Sequence, residues 1–468
     1  MRTIHLTSLG CPKNLVDSEL MLGLLVEEGL VPVSEPGAAD VLLVNTCGFI
    51  QSAVEEGIDT ILGLIEQKKT PATRVVVCGC MVQRYGADLA RELPEVDLFL
   101  GTEEVARIAE RLRRLEDQAG ADGDSLIPAE RLSESATIFP LVGRSAAGGG
   151  SEFFLASAEM PRRLSTPAHR AYLKITEGCG NCCSYCLIPA IRGPLRSRRQ
   201  EDIVREAQGL AAAGVKELTL VAQDLTAYGL DLGPGGPRLP QLLTALNQAV
   251  AVPWLRLLYL YPSRVKDELL ELVAAQPRIL PYFDLPFQHV SDSVLKAMNR
   301  PYGEKMIRDL VARIRRILPE AAIRSTFMAG FPGETEADVD RLAAFLADCR
   351  LDHVGIFTYF NEEGCAAAEL PDQCPEELKQ ERHDRLMGLQ REISLARNLA
   401  RVGRVEEVLV EGVSAESDLL LEGRAWYQAP EIDGCVYINE GTCRAGELVR
   451  VKISEAHPYD LVGAIVEP

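Results

Sequence analysis

The chain has 468 residues, 47% of them hydrophobic, which is enough for two or three domains with separate cores. A formal net charge of -19 at pH 7, from 68 acidic against 49 basic side chains, opposes general attraction to a polyphosphate and suits a basic partner. No apolar run approaches the roughly 20 residues that span a bilayer, and the opening MRTIHLTSLGC lacks a signal-peptide layout, so the expectation is a cytoplasmic protein with no membrane partner.

The first 115 residues alternate short apolar runs with helical patterns: TIHLTSLGC, a helix from about Val16 to Glu28, DVLLVNTCGF, a second helix, RVVVCGCM, a third, then VDLFLGTEE. This rhythm predicts an open parallel sheet with helices on its faces, in a domain spanning 1–117. Cys11, Cys47 and Cys80 each fall just past the carboxyl end of a predicted strand. Those ends share one edge in a parallel sheet, so three cysteines distant in sequence can meet. Cys78 competes with Cys80, because alternation along VVVCGCM points both the same way.

Residues 118–166 are rich in Gly, Ala, Ser, Asp and Pro and read as a flexible linker. A second alternating block, 167–400, offers the strands AYLKIT, ELTLVAQ, WLRLLYLY, YFDLPF, IRSTFMAGF and HVGIFTYF. Helical patterns separate them, which predicts a partial or complete (β/α) barrel with its site at the carboxyl ends of the strands. Residues 401–468 change to short Val- and Gly-rich alternating runs, as a small β-barrel or sandwich requires.

The stretch EGCGNCCSYCLIPAIRG, just after the first barrel strand, places four of thirteen cysteines within eight positions. In a reducing compartment clustered thiols indicate metal rather than disulfides. A 4Fe-4S cube has four irons, and a loop supplying three thiolates leaves one iron open to substrate. CGNCCSYC parses either as Cys179, Cys183 and Cys186 or as Cys179, Cys182 and Cys186. The first parsing matches the radical S-adenosylmethionine signature, including Tyr185 before the last cysteine, while a zinc knot using all four thiols is the competing structural reading.

Along nearly its whole length the chain resembles the radical S-adenosylmethionine methylthiotransferases. The resemblance rests on SLGCPKNLVDSE, VNTCGFI and GCMVQRY in the first domain, and on EGCGNCCSYCLIPAIRGPLRSR, DLPFQHVSDSVLKAMNRP and GFPGETEADV in the second. CPKN, LPFQHVSD, EEGCAAAELPDQ, APEIDG and YDLVG resemble the branch that modifies an aspartate of ribosomal protein twelve of the small subunit. The resemblance implies an α/β fold: the open parallel-sheet domain, a central partial radical S-adenosylmethionine barrel and a C-terminal TRAM-like β-barrel. It implies two 4Fe-4S clusters, one on Cys179, Cys183 and Cys186 and one on Cys11, Cys47 and Cys80. S-adenosylmethionine would serve as radical source and as methyl donor, and a low-potential ferredoxin or flavodoxin as electron donor.

The resemblance also places cofactor contacts at Tyr185, at Gln223 and Asp224 after the second barrel strand, and at Gly330, Gly333 and Glu334 of GFPGET. Leu225 stands where the family has threonine. Read without the family, GFPGET is a turn followed by a Thr335–Asp338 capping box, and His289 is a packed histidine. The cluster Arg192, Arg196, Arg198 and Arg199 could engage a substrate carboxylate or form internal ion pairs.

Substrate is the point on which two enzyme readings differ. Residues 401–468 hold 13 acidic and 6 basic side chains, with Trp426, Tyr427, Tyr437 and Tyr459 among them. A clamp for transfer RNA calls for a basic stripe, so transfer RNA is the runner-up substrate and a basic ribosomal protein the favoured one. A ribosome-associated iron-sulfur protein without catalysis is the third reading, separable by whether 5'-deoxyadenosine is released.

Overall fold

In a computed structural model that describes residues 1–121 and 153–466, the chain forms two units. The first unit gathers residues 1–165, 174–181 and 186–203; the second gathers 166–173, 182–185 and 204–468. No helix among the described residues is long and apolar enough to cross a membrane.

The first unit is built on a parallel sheet of β1 (Thr3–Ser8), β2 (Val31–Pro32), β3 (Val41–Thr46), β4 (Arg74–Gly79) and β5 (Leu98–Leu100), in the order β2-β1-β3-β4-β5. Every residue of β3 is buried, as a central strand covered on both faces must be. Helices α1 (Pro12–Glu27), α2 (Gln51–Glu66), α3 (Cys80–Glu92) and α4 (Ile108–Ala121) supply the covers. Leu42, Val44, Val75, Val77, Met81 and Phe99 form the centre of one core cluster. Register pairs Ser8 with Asn45 and Thr46 with Gly79, so β1, β3 and β4 end at one level.

Most of the 118–166 stretch, residues 122–152, lies outside the described residues. Its remainder carries structure that composition did not disclose. α4 runs to Ala121, and Phe154 and Ala156 are buried at the other end. The Phe154 N–H donates to Glu103, and Glu19, itself buried, accepts from Arg162 at 2.7 Å and from the Ser165 N–H at 2.7 Å.

In the second unit six barrel strands follow in chain order: β6 (Arg170–Lys174), β9 (Glu217–Val221), β10 (Trp254–Leu257), β11 (Tyr282–Asp284), β12 (Ala322–Ala329) and β13 (His353–Thr358), while the short pair β7 (Thr176–Glu177) and β8 (Arg196–Ser197) belongs to the first unit. They form two three-stranded halves, β10-β9-β6 and β11-β12-β13, with a parallel bridge from Leu255 to Ile279 joining the region of β10 to the approach of β11. The sequence reading placed all six strands correctly. Parallel pairing of β9 with β10 and of β11, β12 and β13 in turn aligns their carboxyl ends.

The tail closes into a barrel, β14 (Val405–Val413), β15 (Leu421–Ala425), β16 (Val436–Glu440), β18 (Leu461–Ile465) and β17 (Leu448–Ala456), ordered β14-β15-β16-β18-β17 and sealed by β14 on β17. Inward Val408, Val410, Val436, Ile438, Val451 and Leu461 fill it. Of its aromatics Tyr427 is core, with the Arg401 guanidinium 3.4 Å above its ring, whereas Tyr459 is 44% exposed. Ion pairs tie this barrel to β9 and β10: Glu217 accepts from Arg256 at 2.5 Å and from Arg424 at 2.6 Å, and Glu411 binds Arg424 and His169.

Candidate metal centre

The loops after β1, β3 and β4 bring Cys11, Cys47 and Cys80 to one edge of the sheet, as the predicted strand ends required. Cys11 is the N-cap of α1 and Cys80 the first residue of α3. Glycine makes the approach of the loops feasible at two points. At Gly10 (φ +89°) an added Cβ would lie 2.9 Å from Cys47 Cβ, and at Gly79 (φ +101°) it would lie 2.3 Å from Asn45 Oδ1. A side chain at Gly79 would be both strained and obstructed.

Gly79 also settles which of two cysteines faces the edge. Its backbone ends the extended alternation of β4 and starts α3, so Cys78 and Cys80 do not share a direction. The buried Cys78 thiol donates to the Val44 carbonyl at 3.4 Å, inside the sheet, and burial pushes it well up from the ordinary thiol range. Cys80 meets the other two. Burial, with Cys47 and Cys11 nearby, pushes its thiol up to about 12 against the opposing pull of Arg192. At Cys11 burial is outweighed by Lys13, Arg192 and two backbone N–H groups, so that thiol lies below its usual range, whereas burial holds Cys47 above it.

Behind the three thiols lies a buried charge cluster. Arg192 donates from Nε to Cys80 Sγ at 3.2 Å, from Nη1 to Asp17 at 2.7 Å and to Glu177 at 3.3 Å, and from Nη2 to Asn14 Oδ1 at 2.9 Å. Lys174 pairs with Asp17 and donates to Glu177 at 2.7 Å. Among the described residues no three His, Cys, Asp or Glu side chains close tightly enough to chelate a single ion. A cube makes a different demand, since each thiolate goes to a separate iron corner, and three soft thiol donors gathered at one edge fit that demand.

The other cysteine loop runs from β7 to a short helix, Ile188–Arg192. Within the first unit the Asn181 N–H donates to Cys179 Sγ at 3.4 Å and the Ile188 N–H to Cys186 Sγ at 3.5 Å. Gly178 (φ +70°) passes so close to the Pro194 carbonyl that a Cβ would sit 2.0 Å from it. Within the second unit Cys183 is half-buried and Cys182 exposed, with the Cys182 carbonyl accepting from Asn299 Nδ2 at 2.6 Å. The Tyr185 hydroxyl accepts from Arg300 at 2.6 Å, and its ring packs edge-on against Phe331.

The remaining expected contacts lie at strand ends, held by their own neighbours. Gln223 and Asp224 follow β9, where Asp224 accepts from the Ala227 N–H at 3.2 Å and pairs with Arg264, while Leu225 is fully buried. Gly330 (φ +76°) and Gly333 (φ +78°) follow β12. Glu334 accepts from the Gly330 N–H at 3.0 Å and from Arg382 at 3.0 Å, so it fixes the turn. The Thr335–Asp338 capping box is formed. His289 is buried, its Nδ1 accepting from the Ser291 N–H at 2.9 Å and its Nε2 3.4 Å from Glu334.

Three of the four arginines have internal carboxylate partners, Arg192 as above, Arg196 on Glu103 at 2.8 Å and Arg198 on Asp202 at 2.6 Å. Sequence reasoning missed Asp17, Lys174 and Glu177 beside the thiols, and Arg300 beside Tyr185. Asp17 and Glu177 shared short motifs with the cysteines, whereas Lys174 sits in the strand AYLKIT and Arg300 in DLPFQHVSDSVLKAMNRP, with no signal linking either to the thiols.

Three family models match the chain: Uncharacterized protein family UPF0004 over residues 3–101, the Radical SAM superfamily over 173–346 and the TRAM domain over 402–466. Fold and cysteine sets together define a radical S-adenosylmethionine enzyme with a thiol-bearing N-terminal sheet and a TRAM barrel. The superfamily implies a 4Fe-4S cluster and S-adenosylmethionine. The chain is 52% identical over 464 residues to ribosomal protein uS12 methylthiotransferase RimO of Desulfotalea psychrophila, with 99% of each chain covered. It is 46% identical over 467 residues to the protein of the same name from Syntrophotalea carbinolica, covering 100% of this chain and 97% of that one. The chain therefore belongs to the uS12 methylthiotransferase RimO family of radical S-adenosylmethionine methylthiotransferases. Among solved structures it is similar to the radical S-adenosylmethionine methyltransferase TsrM of Kitasatospora setae, at a TM-score of 0.54 and 16% identity over 76% of this chain and 73% of that one, a likeness of fold alone.

Proposed function

We propose that this chain transfers a methylthio group to the β-carbon of an aspartate in ribosomal protein uS12. The observation that carries the reading is the presence of two three-cysteine sets, one at the edge of the N-terminal sheet and one in the loop after β7, in a chain that matches the family over 99% of its length. When bound, two clusters and S-adenosylmethionine would supply a 5'-deoxyadenosyl radical able to take hydrogen from an unactivated carbon, together with the sulfur and the methyl group.

The protein's part is to hold and orient. Cys179, Cys183 and Cys186 would hold the first cluster, with the Asn181 and Ile188 N–H groups directed at two of the sulfurs. Cys11, Cys47 and Cys80 would hold the second. Tyr185, Gln223, Gly330 and Gly333 would border S-adenosylmethionine, with Asp224 and Glu334 acting by fixing the two turns. The excess of acidic side chains in the tail suits a basic ribosomal protein, in the cytoplasm, with a low-potential ferredoxin or flavodoxin giving the electron. Mass spectrometry of small-subunit ribosomal proteins from cells lacking the chain tests this. Loss of a methylthio group from one uS12 aspartate is expected; an unchanged uS12 with altered transfer RNA would refute it.

A further inference from the structure

We propose that Arg192 is the positioning residue of the Cys11–Cys47–Cys80 site, holding all three cysteine loops in register and tuning the metal group through its N–H bond to Cys80; this rests on the reading of those three cysteines as cluster ligands. The guanidinium is only 2% exposed and spends its fork on four partners. Nε reaches Cys80 Sγ at 3.2 Å, the third loop. Nη1 reaches Asp17 and Nη2 reaches Asn14, both on α1, whose N-cap is Cys11. Asn14 in turn donates to the Leu9 carbonyl at 2.7 Å, before Cys11, and to the Thr46 carbonyl at 3.3 Å, before Cys47. One side chain thus touches the third loop directly and braces the other two through one amide.

Charge balance alone does not account for this arrangement. Lys174 pairs with both Asp17 and Glu177 but offsets only one of their two charges; Arg192 supplies the other, a task any second cation would meet without directing an N–H at sulfur. A planar fork can serve sulfur, carboxylate and amide in one plane, which a lysine cannot. Donors to ligand sulfur and the partners that orient ligands set the affinity and potential of iron-sulfur sites. Arg192 also ends the helix that begins two residues after Cys186, so the segment leaving one cysteine set supplies the brace of the other.

The test uses the full chain with Cys179, Cys183 and Cys186 all replaced by Ala, leaving only the three-cysteine site. Reconstituted anaerobically with iron and sulfide, this background should take up one cube; if it takes up no iron, the cluster reading itself fails. Adding Arg192→Gln should weaken iron retention against a chelator by about 10- to 100-fold and lower the cluster's midpoint potential, read by electron paramagnetic resonance. Arg192→Lys, which keeps the charge, should fold and restore retention only in part. Unchanged potential and retention in a folded Arg192→Gln or Arg192→Lys chain would overturn the inference while leaving the cluster reading intact.

Discussion

Replacing Glu217 with Gln should weaken the attachment of the C-terminal barrel to the strands it rests on. The carboxylate is fully buried and accepts from Arg256 at 2.5 Å and from Arg424 at 2.6 Å. The amide keeps the volume and removes the charge, taking from the buried Arg256 its carboxylate partner and leaving Arg424 with Glu411. Breaking a buried ion pair from one side costs about 3–5 kcal/mol. The second unit spans roughly 280 residues, for which an unfolding entropy of ~0.6 kcal/mol/K converts that cost into a fall of about 5–8 °C in Tm. Differential scanning calorimetry at neutral pH reads it directly.

The pH dependence gives an independent check. Although burial opposes ionisation, Arg256 and Arg424 hold the Glu217 carboxyl down at about 2, and His169, Arg424 and Arg170 do the same for Glu411, also at about 2. Depressed values mean stability that is fully present above the unfolded glutamate range near 4.5 and lost as pH falls toward 2. The native protein should therefore lose Tm more steeply across that window than Glu217→Gln. A variant within 1 °C of native at pH 7, with the same acid profile, would refute the assignment of this cluster as the clasp.

Three further outcomes follow from the first unit. Gly79→Ala places a Cβ 2.3 Å from Asn45 Oδ1 at a φ of +101°, so it should destabilise the sheet edge and abolish iron uptake at Cys11, Cys47 and Cys80; normal uptake would contradict the geometry. Cys78→Val removes only a weak thiol bond to the Val44 carbonyl, so iron per chain should match native and unfolding stability should fall by less than about 1.5 kcal/mol, whereas lost iron would make Cys78 a ligand. Glu19→Ala removes the acceptor of Arg162 and Ser165, so limited trypsin digestion should cut at Arg162 or Arg163 faster than in native protein, and an unchanged rate would show the segment is held by other means.

The elements were legible where local pattern decides them. Six barrel strands and four of the five N-terminal strands were readable from apolar runs bounded by turn residues, because buried parallel strands are nearly continuous in Val, Leu and Ile. β2, two residues long, carries no such run. Strand alternation left Cys78 and Cys80 undistinguished, and only the family resemblance favoured Cys80, since the physical reason is the positive φ of Gly79 and Gly-Cys reads equally well as a continuing strand. Nor was the pairing of Asp17 with Arg192, separated by 175 positions, because a salt bridge between distant segments leaves no periodicity in either. Composition likewise marked 153–165 as linker although Glu19 and Glu103 pin it, since small and polar residues look alike whether tethered or not.

The brace behind the N-terminal thiols has a practical corollary for anyone dividing the chain. A fragment ending near residue 117, where sequence alone suggests a domain stops, would retain Asp17 and all three cysteines yet forfeit Lys174, Glu177 and Arg192. It would carry an anion in its interior with neither counter-cation, and its metal-binding edge would lack the donor to Cys80. Truncations meant to isolate that half should extend through residue 203, and a fragment that stops short should misbehave for reasons unrelated to the reaction it was made to study.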